Sequence, residues 1–128
     1  MRLLLDTHTF IWYVLDVQKL TDRVRILIDD GDNEILLSIA SVWEMAIKHS
    51  NGKLSFGQPF RIFIDQQLRL NNIDLLNINL DHIDIVATLP LHHRDPFDRL
   101  LIAQAMVEQL PILSADSAFD AYPIGRLW

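Results

Sequence analysis

At 128 residues, half of them hydrophobic and 22% charged, the chain suits one soluble globular domain over residues 1–128, not a disordered or fibrous protein. The lack of cysteine excludes disulfides and thiolate metal sites and suggests a reducing cytoplasm. Basic and acidic residues, 11 against 17, leave a net charge of −6, which argues against a broad nucleic-acid-binding surface and asks any phosphate-bearing substrate to be met by local cations.

The first stretch, "RLLLD" (2–6), is a short apolar run closed by an acid and predicts a buried strand. That acid also comes too early for a secretory signal, and no apolar run in the chain approaches the roughly 18 residues of a membrane span. "THTFIWYVL" (7–15) suits a first helix, and "TDRVRILIDDGDN" (21–33) a second with Gly31 near its end. "EILLS" (34–38) reads as a second strand. In "IASVWEMAIKHSNGKL" (39–54), Ile39, Val42, Trp43, Ala46 and Ile47 share one helical face, and Asn51-Gly52 ends the helix. "PFRIFIDQQLRLNN" (59–72) is a further helix with Pro59 in its first turn, "IDLLNI" (73–78) a strand, and "DHIDIVATLP" (81–90) a short helix stopped by Pro90. A helix over about 96–109 follows, then a strand "PILSAD" (111–116) and an edge strand "IGRLW" (124–128). Strands alternating with helices predict an α/β fold, a three-layer α/β/α sandwich around a mostly parallel sheet.

In such sheets ligands bind beyond the carboxyl ends of the strands, where the following helices begin. Asp6 and Asp116 close strands, Glu44 lies in the second turn of the helix after "EILLS", and Asp98 in the first turn of its own helix. Four carboxylates are therefore expected at one edge. Two carboxylates about 4 Å apart repel by roughly 4 kcal/mol at an effective dielectric near 20, so the cluster calls for protons or a cation. Oxygen ligands, with no Cys and no His at metal spacing, favour a hard ion such as Mg²⁺ or Mn²⁺.

Each acid also has a structural explanation. Asp6 and Asp116 could cap short helices, and Glu44 has Lys48 at i+4, in the orientation that favours an ion pair. Asp95 precedes Pro96, which suits the first helical position, so Asp95 reads as an N-cap. Asp98 is then the third helical residue, where an acid favours the helix dipole. It shares a face with Leu101, Ile102 and Ala105, and an acid on the inward stripe needs a partner or lines a site.

The motifs "LLLDTHTFIW", "SIASVWEMAIKHSNGKL", "LPLHHRDPFDRLLIAQA" and "PILSAD" resemble those of PIN-domain proteins, specifically the VapC-like toxin ribonucleases of toxin–antitoxin pairs. The resemblance spans nearly the whole chain in family order. It implies that Asp6, Glu44, Asp98 and Asp116 hold one or two Mg²⁺ or Mn²⁺ ions for endonucleolytic cleavage of RNA. It further implies a supporting role for Ser114, a homodimer, and a cognate antitoxin protein. The "HH" before "RDPFD" marks a branch whose substrates the resemblance does not assign.

The chemistry so implied is metal-assisted phosphodiester hydrolysis, which requires no side-chain nucleophile. Arg94, Arg99 and Lys48 are candidates for phosphate contacts, against the plainer reading of solvated surface charge. His8, His92 and His93 are better read as hydrogen-bonding residues than as proton donors. Trp12, Trp43 and Trp128 suit core or dimer packing better than base stacking. Two rival classes remain. A haloacid-dehalogenase phosphatase would need a second Asp at the position of His8, and a catalytically idle PIN-fold protein-binding module would have no use for a full acidic set.

Overall fold

The computed structural model describes all of residues 1–128. Five strands form one sheet in the order β3-β2-β1-β4-β5, every pairing parallel: β1 (Arg2–Leu5), β2 (Glu34–Ser38), β3 (Ile73–Leu76), β4 (Ile112–Leu113) and β5 (Arg126–Leu127). Six helices connect them: α1 (Thr7–Val14), α2 (Asp22–Asp29), α3 (Ile39–Ser50), α4 (Phe60–Leu70), α5 (Leu80–Thr88) and α6 (Pro96–Glu108). A 3₁₀ turn follows β4 at Ser117–Ala121. No helix is long and apolar enough to cross a membrane.

The central strand explains the layering. Side chains alternate across a strand, and in β1 Leu3 and Leu5 join one apolar cluster while Leu4 joins the other. The first cluster takes Phe10 and Ile11 of α1, Val24 and Ile28 of α2, Met45 of α3, and Phe63 and Ile64 of α4. The second takes Leu101, Ile102 and Ala105 of α6, with Leu89, Phe119 and Tyr122. Both faces of the sheet are thus covered, as the run of apolar residues in 3–5 and 35–37 requires of parallel strands. The expected α/β/α architecture is the one observed.

Of three local expectations, two change and one holds. Strand β4 is two residues long and ends at Leu113, so Asp116 lies on the turn beyond it and does not close the strand. Helix α3 ends at Ser50, where Gly52 turns the chain with φ +79°, a left-handed conformation that favours glycine. The inward face of α3 is also not the predicted one. Ala40, Ser41, Glu44 and Met45 are buried, while Trp43 is 58% and Ile47 41% exposed. The helix is apolar on both sides, so its periodicity does not choose between them. Small residues let this face approach the sheet closely. Trp43 instead meets Phe97 of α6 edge-on, with ring centroids 5.0 Å apart.

Candidate metal centre

Asp6 follows β1 directly and occupies the N-cap position of α1, yet its side chain makes no capping bond. It is 5% exposed and accepts a 2.7 Å hydrogen bond from Ser114 Oγ. Ser114 is itself fully buried, and its Oγ accepts the Asp116 backbone N–H at 3.0 Å. One hydroxyl therefore ties the ends of β1 and β4 together and orients Asp6. Burial raises the Asp6 carboxyl above its ordinary value; Ser114, His8 and the Thr7 backbone oppose that rise, and the Glu44 charge adds to it.

Asp95 and Asp98 separate as helix chemistry suggests. Asp95 Oδ1 accepts from Phe97 N at 2.8 Å and Asp98 N at 3.1 Å, with Pro96 opening the helix. Asp98 is left to face the sheet edge. Burial pushes its carboxyl up to about 8, and the charges of Asp6, Asp95, Glu44 and Asp116 push in the same direction. Those couplings bring four acids from four segments into one electrostatic neighbourhood. Asp116 both caps and faces this site: Oδ1 accepts from Ala118 N at 2.9 Å, while Oδ2 points toward His93.

Glu44 is 9% exposed. Its Oε2 pairs with Lys48 Nζ at 3.2 Å, so the i+4 ion pair exists, but with a buried acid. Its Oε1 is buried without any hydrogen-bond partner. Buried carboxylate oxygens are seldom left so, because desolvation without compensation is costly. An orphaned buried oxygen, near two carboxyls whose ionisation burial opposes, fits a hard divalent ion with oxygen ligands. An open cleft of about 270 Å³, lined by Asp6, His8, Trp12, Ala115 and Asp116, gives access to two of the acids, Asp6 and Asp116.

The basic candidates differ in fate. Arg94 is exposed and Lys48 is held by Glu44. Arg99 does not face the site as a free cation: it donates to the carbonyls of Leu89, Pro90 and His93 at 3.0, 3.0 and 3.2 Å. Its planar fork fixes the segment before α6. His93 is the hydrogen-bonding residue that the sequence suggested, but its place beside the acids was not foreseen. Its Nε2 lies 3.0 Å from Asp98 Oδ2 and 3.7 Å from Asp116 Oδ2. A usable signal lay in "HHRDPFD": a residue two before an N-cap can fold back over the first turn, beside the acid three residues after the cap.

A model of the PIN domain matches residues 3–125. The chain belongs to the PIN-domain family. Over 61 residues this PIN domain is 33% identical to Ribonuclease VapC16 of Mycobacterium tuberculosis, a stretch covering 48% of this chain and 43% of that protein. The chain thus aligns with less than half the length of that relative. Among solved structures, VapBC2 from Rickettsia felis, bound to a DNA fragment from their promoter, superposes with a TM-score of 0.75 at 13% identity, covering 99% of this chain and 98% of that one. FitAcB from Neisseria gonorrhoeae gives 0.69 at 19% identity, with 98% and 96% covered. VapBC-1 from nontypeable Haemophilus influenzae gives 0.69 at 15%, with 99% and 97% covered. At such identities these likenesses concern the fold.

Proposed function

We propose that this PIN domain is a divalent-metal-dependent endoribonuclease, the toxin of a toxin–antitoxin pair, with Mg²⁺ or Mn²⁺ held by Asp6, Asp98 and Asp116 and Glu44 in support. The observation that carries the reading is the charge coupling of Asp98 to Asp6, Glu44 and Asp116, together with the unpartnered, buried Oε1 of Glu44. An idle protein-binding module would leave that oxygen and the protonated Asp98 without purpose. The similarity to a protein named a ribonuclease supports the substrate class.

The residues divide the work by position. Asp6, oriented by Ser114, follows β1, and Asp98 lies in the first turn of α6. Glu44 Oε1 is placed to ligate or to orient the attacking water. Asp6, Asp98 and Asp116 would hold the divalent ion, which would supply a water of lowered pKa and charge neutralisation at the phosphoryl oxygens. Arg94 and Lys48 remain for the flanking phosphates. The antitoxin partner and the homodimer implied by the family resemblance are part of the same proposal. The test is cleavage of total RNA by the purified protein with Mn²⁺, with chelator, and as Asp6→Asn, followed by sequencing of the new ends. Discrete ends that vanish with chelator and with Asp6→Asn support the reading. No difference between the three samples refutes it.

A further inference from the structure

The segment between α5 and α6 is held far more firmly than a connecting loop requires. Besides the three carbonyls gripped by Arg99, the Tyr122 hydroxyl donates to Pro90 O at 2.8 Å. The Tyr122 hydroxyl oxygen in turn accepts the backbone N–H groups of His92 and His93 at 3.1 and 2.8 Å. Tyr122 is buried, and the His93 ring sits 6.0 Å from that of Phe119. The backbone at His93 is thus anchored through its N–H by Tyr122, distant in sequence, and through its carbonyl by Arg99.

The ring's two nitrogens have different duties. Nδ1 accepts the Asp95 backbone N–H at 3.2 Å, so it carries a lone pair and no proton. The neutral ring then bears its proton on Nε2, and it is Nε2 that lies against Asp98 and Asp116. By composition His93, Asp98 and Asp116 look like a three-ligand metal set, with donor atoms all within 4.8 Å of one another. The tautomer argues otherwise. For Nε2 to bind an ion, the proton would have to move to Nδ1, setting one N–H donor against the Asp95 N–H and breaking the bond that fixes the ring.

We propose that His93 is a positioning residue for the acidic centre and not one of its metal ligands: its Nε2 edge packs against Asp98 Oδ2 at 3.0 Å, with Asp116 Oδ2 beyond hydrogen-bond reach at 3.7 Å, and keeps the Asp98 carboxylate in the orientation that receives the ion. This rests on the metal-site reading above. It places oxygen donors alone around the ion, a set that accepts Mg²⁺ as well as Mn²⁺, whereas a nitrogen ligand shifts preference toward later transition metals. Residues that orient ligands in this way typically change metal affinity by about 10–100-fold when removed.

Three measurements on the full chain test it without recourse to RNA cleavage. Long-range ¹H–¹⁵N correlation of the imidazoles should show His93 as the Nε2–H tautomer. Pulsed electron paramagnetic resonance of the Mn²⁺-loaded protein should show no directly bound histidine nitrogen. Calorimetric Mn²⁺ titration should show affinity falling by about tenfold or more in His93→Ala, and restored to within about threefold in His93→Gln, whose amide N–H reaches the Nε2 position. A bound histidine nitrogen, or His93→Ala binding Mn²⁺ as tightly as wild type, overturns the proposal. Should His93→Ala fail to fold, the two spectroscopic readings on wild type still decide it. Wild-type protein that binds no Mn²⁺ overturns the metal-site reading itself, an outcome distinct from a defect confined to the variants.

Discussion

Replacing Asp98 with Asn keeps the side chain's shape and removes its charge, so it isolates what that charge does to the metal-free fold. In the unfolded chain Asp98 ionises near 3.8, whereas in the folded chain burial and the surrounding acids hold the proton up to about 8. Between those values the folded state binds the extra proton, and stability must fall as pH rises. Above about pH 8 the loss is complete. Titration between about pH 6 and pH 9 stays clear of the isoelectric point near 5.1 and spans about two units of that shift. At about 1.4 kcal/mol per unit this is about 3 kcal/mol, reduced to about 1–2 kcal/mol by solvent reaching a carboxyl that is not fully enclosed. Urea denaturation in chelator should therefore show wild type losing about 1–2 kcal/mol relative to Asp98→Asn across that interval. Other titrating groups are common to both proteins and largely cancel in the difference. Parallel pH profiles would refute the claim that Asp98 sits among uncompensated acids. So would a variant less stable than wild type at the alkaline end.

Asp95→Ala removes a cap and not a ligand, so it should cost about 0.5–2 kcal/mol in denaturant melts while retaining most metal-dependent cleavage; loss of cleavage at full stability would reverse the assignment of the two acids. Arg99→Ala releases three carbonyls and should lower stability by about 2–3 kcal/mol; an unchanged melting point with a raised KM for RNA would return Arg99 to the phosphate-binding set. Mn²⁺ at about 100 times its Kd should add about 3 kcal/mol to wild-type stability, read as a rise in Tm. Asp6→Asn should lose most of that rise, and an equal rise in both proteins would place the ion elsewhere.

What could be read from the sequence is what local chemistry decides. Asp95-Pro96 announces a cap because both residues act through the backbone beside them, and Asp95 caps Phe97 and Asp98 in the structure. The inward placement of Asp98 follows from helical period alone. The face of α3 was illegible because both of its sides carry apolar residues, and the buried side is the one with Ser41 and Glu44. The role of Arg99 was illegible for another reason. Its acceptors are main-chain carbonyls, which every residue offers and no sequence motif marks. Tyr122 and His93 belong to the same class, since their contacts depend on how the segment before α6 is carried over the 3₁₀ turn.

The residues that could not be read bear directly on the acids that could. Near the sheet edge, Arg99 is committed to three carbonyls. Arg126 is committed to Asp120 through two hydrogen bonds of 2.8 and 2.9 Å and to Ser114 O at 3.1 Å. Lys48 alone pairs with one of the four acids. Arg99 and Arg126 are thus spent mainly on architecture, with only the Arg126 charge reaching Asp116, and neither forms an ion pair with Asp6, Asp98 or Asp116. A fold aiming only at stability would gain by turning one guanidinium toward carboxylates that otherwise must keep protons or repel. Holding the arginines away keeps the edge anionic, and a centre held anionic in this way is suited to a cation that arrives from solution.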